Sequence, residues 1–247
     1  MRNTHSAKRE IFFSSENEQL DPLFPSGAGR ILLICTRIER MTTDLSWLSR
    51  TQLLIGEMTI IDGDVVDPTN RNRQLPALAT NHGISKAAIM AERLKAINPE
   101  LDLNVIDSFI RPEQVLDSLA SQPTYLIDAI DSITPKITFI KTALERKIPL
   151  VSSMGAGAKL DPTRLQVVDI SETYNCPFAQ QIRKQLKSRY GIRKGLEVVF
   201  SPDEPIKKSL MLTDGKNFKK SAYGTISYLP AVFGAVCASV AIRDMIV

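Results

Sequence analysis

From Met58 onward the apolar positions alternate between two rhythms. "MTIID" (Met58–Asp62) is a β-rich run that ends in the turn Asp62-Gly63-Asp64. "ISKAAIMAERLKAINP" (Ile84–Pro99) spaces its apolar residues at three and four, which predicts a helix with Ser85 as N-cap and Asn98-Pro99 as its stop. "LDLNVID" alternates and predicts a strand. "RPEQVLDSLA" predicts a second helix with Pro112 in its first turn. "TYLIDAID" is apolar and then abruptly acidic, a strand. "TPKITFIKTALERK" (Thr134–Lys147) is amphipathic, a third helix. "IPLVSSMGAGA" is a strand entering a small-residue turn. Strands and helices that alternate in this way predict an α/β fold, a mostly parallel Rossmann-like sheet with crossover helices.

Beyond about residue 164 the pattern becomes an α+β elaboration. "RLQVVDIS" and "LEVVFS" predict strands, and "CPFAQQIRKQLKSRYG" predicts a basic helix stopped by Gly191. Asp203–Gly224 is expected to be an exposed loop. The apolar stretch Ile226–Ile242 is at the lower limit of spanning length and contains Pro230. It is expected to be a buried helix, suited to a subunit interface, rather than a membrane span. Residues 1–40 form no recognisable unit and are expected to be an N-terminal extension ahead of a domain over 41–247. Within them "RILLICTRIER" (Arg30–Arg40) fits either a short strand or an isolated helix turn.

Composition narrows the class. The chain is 43% hydrophobic and 23% charged over 247 residues, an ordinary globular balance. A net charge of +4 permits a polyanionic partner without requiring one. The three cysteines, Cys35, Cys176 and Cys237, include no C-x-x-C pair, which excludes a four-thiolate zinc site and fits a reducing cytoplasm. The first 30 residues lack the apolar core of a secretory signal.

In parallel sheets ligands sit beyond the carboxyl ends of the strands. Asp62, the pair Asp128 and Asp131, and "SSMGAGA" all fall at such ends. A carboxylate at Asp62 suits ribose hydroxyls, and Asp131 suits Mg²⁺ held against phosphates. The plain alternative is that these acids simply open polar loops. "NRNRQLP" (Asn70–Pro76) packs amides and guanidiniums into one loop, the donor set of a phosphate site. Lys86 would add a charge at the next helix start, where backbone amides also favour an anion. Otherwise this is a solvated basic loop. Arg183, Lys184, Lys187, Arg189, Arg193 and Lys194 suit a nucleic-acid backbone, although a solvated helix face is the default. Cys176 stands before Pro177 at a helix start, where a thiolate is favoured. A nucleophile needs a base, and neither His5 nor His82 can be placed beside it from sequence.

Together, "MTIIDGDVVDPTNRNRQL", "GISKAAIMAERLKAINPE", "YLIDAIDS" and "PLVSSMGAGAKLDPT" resemble the ThiF/MoeB/HesA superfamily of ATP-dependent adenylating enzymes, the fold of ubiquitin-activating enzymes. "YNCPFAQQIRKQLK", "IRKGLEVVFS" and "GTISYLPAVFG" resemble its tRNA threonylcarbamoyladenosine dehydratase branch. The resemblance implies that Asp62 binds ribose, that Asn70, Arg73 and Lys86 hold the triphosphate, and that Asp131 binds Mg²⁺. It implies ATP-driven activation of a carboxylate on a tRNA adenosine, followed by ring closure with loss of water, in a homodimer. The alternatives are adenylation of a ubiquitin-like sulfur-carrier protein and a non-catalytic tRNA- or partner-binding remnant. Relatives that serve carriers typically have two C-x-x-C pairs, which this chain lacks.

One part of the family pattern is missing. "W-x-x-RT-x-LL-x-G", here Trp47 to Gly56, should be followed by a strand, a G-x-G-G-x-G loop and a helix before "TIIDGD". Instead Gly56-Glu57 runs straight into Met58. The first strand and its glycine-rich loop are therefore expected to be deleted, with "RILLIC" as a candidate for the vacant slot. Backbone amides that approach phosphates closely need glycine. Weak ATP binding, or none, is expected.

Overall fold

Short segments four to seven residues long, rich in Ile, Val and Leu, form the strands of a seven-stranded sheet. The computed structural model describes residues 29–34, 55–119, 122–212 and 221–245. Within these lie β1 (Gly29–Ile34), β2 (Ile55–Ile61), β3 (Asp102–Ile106), β4 (Tyr125–Asp128), β5 (Leu150–Ser153), β6 (Gln166–Asp169) and β7 (Glu197–Phe200). Their order across the sheet is β3-β2-β1-β4-β5-β7-β6. All neighbours pair in parallel except β6 and β7. Every residue of β4 and β5 is buried, as expected where helices cover both faces of a parallel sheet.

Helices α1 (Lys86–Ile97), α2 (Pro112–Ser118), α3 (Ile133–Glu145), α4 (Pro177–Tyr190) and α5 (Tyr228–Met245) supply that cover. Met90 and Leu94 of α1 share one apolar cluster with Phe233 and Cys237 of α5 and with Ile60 and Ile127 of the sheet. Val115 of α2, Phe139 and Ile140 of α3, and Ile182 and Leu186 of α4 share the other with Leu126 and Val198. The helix limits follow local signals. The Ser85 hydroxyl accepts from Ala88 N at 3.2 Å, α1 ends at Asn98, and Gly191 closes α4 in the left-handed region at φ 70°.

Three expectations change. The first-strand slot is filled: β1 lies between β2 and β4, with Ile34 opposite both Ile61 and Asp128. Six residues of the expected extension thus lie at the centre of the sheet, so the boundary at residue 40 does not mark where the fold begins. The strand reading of "RILLIC" holds, because a parallel slot with a neighbour on each side bonds a short aliphatic run along both edges. The segment after β1, including Cys35 and most of the motif that begins at Trp47, lies outside the described residues. Next, β2 starts at Ile55, so Gly56 and Glu57 are strand. Finally, the expected loop 203–224 contains a two-stranded pair, β8 (Leu210–Leu212) with β9 (Ser221–Tyr223). Three-residue strands are too short to show an alternation. α5 forms where a buried helix was expected, with Leu229, Phe233, Cys237 and Ala241 in the core. Among the described residues it is the one helix long and apolar enough to cross a membrane.

Candidate functional site

The sheet builds its site at the carboxyl ends of β2, β1 and β4. The chain runs outward from β1 to β2 and β3, then returns to β4 on the other side of β1. This reversal is a topological switch point, where an open parallel sheet leaves a crevice. Asp62 follows β2 and Asp131 follows β4. The two strands stand two spacings apart, about 10 Å.

Asp62 is 1% exposed, and its Oδ1 accepts from Asp64 N at 2.7 Å. Gly63 lets this turn press against its neighbour, because a Cβ there would lie 2.3 Å from the Phe109 backbone nitrogen. Asp64 in turn holds Lys86: the ammonium lies 3.2 Å from Asp64 Oδ2, and Lys86 N donates to Asp64 O at 3.0 Å. A lysine side chain 1% exposed is thereby fixed on the first turn of α1, beside the end of β2.

The loop Asn70–Pro76 is built on a capped 3₁₀ turn, Pro68–Asn70. Asp67 Oδ1 accepts from Thr69 N at 2.8 Å, and Asn70 Oδ1 accepts from Asp67 N at 3.0 Å. The Thr69 hydroxyl, then its N–H, holds the Asp67 carboxyl below its usual range. Arg73 is half-buried and donates to Thr69 O at 2.8 Å and Asn72 Oδ1 at 3.0 Å. Gln74 was not singled out in the sequence. It is 4% exposed, and among the described residues neither polar atom of its amide has a hydrogen-bond partner. The signal was its place in the donor-rich loop.

The two aspartates after β4 have different surroundings. Asp128 is fully buried: Lys136 Nζ lies 2.8 Å from Oδ2, the Ser152 hydroxyl donates to Oδ2 at 2.7 Å, and Ile130 N donates to Oδ1 at 3.0 Å. Lys136 also donates to Ser153 O at 3.0 Å, tying α3 to the end of β5. Burial pushes the thiol of Cys237, close to this network, up to about 12. Asp131 follows β4, is half-buried and accepts from the Ser132 hydroxyl at 3.3 Å. Asp128 is therefore a scaffold, and Asp131 is the more accessible of the two acids. No cluster of three metal-ligating side chains occurs among the described residues. One carboxylate suits a Mg²⁺ held mainly by phosphates and water rather than by a protein cage.

The basic run divides. Arg183 donates to Thr173 O at 2.7 Å and also to the Thr173 hydroxyl, so it braces the turn before α4. Lys184, Lys187, Arg189, Arg193 and Lys194 are exposed. Cys176 is buried and caps α4, accepting from Ala179 N at 3.5 Å, a structural position.

The ThiF family profile matches residues 51–246. The tRNA threonylcarbamoyladenosine dehydratase of Escherichia coli K12 is 39% identical over 207 residues, covering 77% of each chain. The crystal structure of the E. coli tRNA N6-threonylcarbamoyladenosine dehydratase, TcdA, in complex with AMP superposes at a TM-score of 0.78 and 36% identity, covering 90% of this chain and 88% of that one. Its complex with ATP superposes at 0.77 and 35% identity over the same shares.

Proposed function

The chain belongs to the ThiF family, and on that premise we propose that it is an ATP-dependent tRNA threonylcarbamoyladenosine dehydratase with a weakened grip on ATP. The observation that supports the reading is the switch point of the sheet, with the Asp62 turn and the Lys86–Asp64 pair following β2 and Asp131 following β4 at the same end. The E. coli relative carries that activity in its name and has been solved with AMP and with ATP.

In this reading Asp62 accepts from the ribose hydroxyls. Asn70, Arg73 and Lys86 hold the phosphates, and Asp131 holds Mg²⁺, which neutralises phosphate charge when bound. The carboxylate of the threonylcarbamoyl group would attack the α-phosphorus of ATP and release pyrophosphate. A nucleophilic atom of the adjoining carbamoyl group would then close on the acyl carbon and give up its proton, and AMP would leave carrying the carboxylate oxygen, because that oxygen alone is a poor leaving group. Lys86 arrives preorganised, since Asp64 already fixes its ammonium.

The weakened grip follows from what comes after β1. Residues 35–54 contain no glycine. A segment without glycine lacks the residue that lets backbone amides close around phosphates. The protein is expected to act in the cytoplasm as a homodimer. The lack of C-x-x-C pairs disfavours the carrier-adenylation reading.

Nucleoside mass spectrometry of anticodon loops, from cells whose only copy is this chain, tests the activity. Cyclised nucleoside supports it; only the open form refutes it. Titration calorimetry with ATP and Mg²⁺ tests the grip, and micromolar affinity of the monomer would refute that part.

A further inference from the structure

Two clefts open along α4. One, of about 450 Å³, is lined by Lys184, Lys187 and Arg193 together with Gln180 and Arg183. The other, of about 380 Å³, shares Gln180 and Arg183 and continues past Tyr174, Cys176, Pro177 and Pro205. The shared residues make them one groove. No carboxylate lines either part among the described residues, so the cationic end favours an anion.

The other end has different chemistry. Tyr174 is 50% exposed, and its ring forms a T-shaped pair with Phe200, centroids 5.7 Å apart and planes at 74°. Asn175 beside it holds a left-handed φ of 50°. A fixed aromatic face next to a row of cations is the pattern that binds single-stranded nucleic acid, with bases stacking and phosphates pairing.

The start of α4 also packs against the carboxyl end of the sheet. Phe178, on the first turn of α4, lies against Gly155, where an added Cβ would come 3.2 Å from the Phe178 Cβ. Lys136 Nζ stands 5.6 Å from the Phe178 ring centre while donating to Ser153 O at the end of β5. Tyr174 precedes Phe178 by four residues, at the end of α4 nearer the β5 terminus, and the cations follow along the helix.

We propose that this groove docks the single-stranded anticodon loop of the substrate RNA, with Tyr174 as stacking platform and Lys184, Lys187 and Arg193 as phosphate contacts. This rests on the tRNA reading above. Arg183 acts here as a brace for the wall of the groove, through its bonds to Thr173.

The test is fluorescence anisotropy of the full chain with a synthetic anticodon stem-loop that carries N6-threonylcarbamoyladenosine. Tyr174→Leu keeps apolar packing on Phe200 but removes the aromatic face, and weakens binding about ten-fold, the effect of losing one stacked base. Tyr174→Phe keeps wild-type affinity. Lys184→Gln with Lys187→Gln lowers the slope of log affinity against log salt by about 0.7 per contact, the single-strand value. Unchanged melting temperatures establish that these variants are folded. Wild-type binding that all variants retain overturns the groove and leaves the tRNA reading standing. If the wild type ignores the stem-loop, the tRNA reading falls and the groove proposal falls with it.

Discussion

At the scale of single residues, Gln74 and Asp128 show opposite ways of burying polarity. Asp128 has Lys136, Ser152 and Ile130 N around it. Removing one partner of a buried ion pair typically costs about 3–5 kcal/mol, because the other charge is stranded. Lys136→Met is therefore expected to lower the melting temperature strongly. Asp128→Asn combined with Lys136→Met should cost less than the sum of the two, measured as a double-mutant cycle. Gln74 presents two buried polar atoms without hydrogen-bond partners among the described residues. Gln74→Met is expected to stabilise the free protein by about 1–3 kcal/mol, the penalty of an unmet buried polar group, while lowering the yield of cyclised nucleoside. A drop in melting temperature would show that the amide is already satisfied. Sequence exposed these residue types but not their partners. Two aspartates three positions apart look alike in a string, and only packing makes one a scaffold and leaves the other more accessible.

At the scale of elements, α5 is fastened at the end of the sheet opposite the crevice. The Tyr125 hydroxyl, at the start of β4, donates to Asp244 Oδ2 at 2.6 Å. Glu197 begins β7 nearby. Burial, then the Asp244 charge, raises its carboxyl above the ordinary 4.5, partly offset by Arg243. A carboxyl raised on folding contributes stability below its unfolded value, and that contribution is lost as pH rises through the folded value. Glu197→Gln removes the loss. Its melting temperature relative to wild type should therefore climb from below pH 4.5 toward neutrality, as calorimetry at a series of pH values would show. A constant offset would contradict the assignment. The long elements were legible because α1, α3 and α4 have clear apolar spacing and clear stops. The β8–β9 pair was not, because three residues of strand carry no period.

At the scale of the whole molecule, the strand order comes from the structure, whereas the mostly parallel sheet with crossover helices follows from alternation of strands and helices, which the sequence shows plainly. The place of β1 does not. "GRILLI" is ambiguous alone and becomes a strand only because β2 and β4 leave a slot between them. The same placement makes nucleotide affinity measurable through stability. A ligand stabilises a protein by RT ln(1 + [L]/Kd). For a weakened site with a dissociation constant near the ATP concentration, that is about 0.4 kcal/mol, or a rise of at most about 2 °C for a chain this size. Thermal melts with and without about 1 mM ATP and excess Mg²⁺ check this. A site a hundred-fold tighter would give about 2.7 kcal/mol and a shift several times larger, contradicting the weak grip.

The early strand β1 must wait for a late partner. Ile34 cannot complete its bonding until Asp128 has been made, which leaves one edge open while some ninety intervening residues emerge from the ribosome. An aliphatic edge exposed for that long invites pairing between nascent chains. Yield of native protein should therefore depend on translation speed and chaperone supply more steeply than its equilibrium stability would suggest.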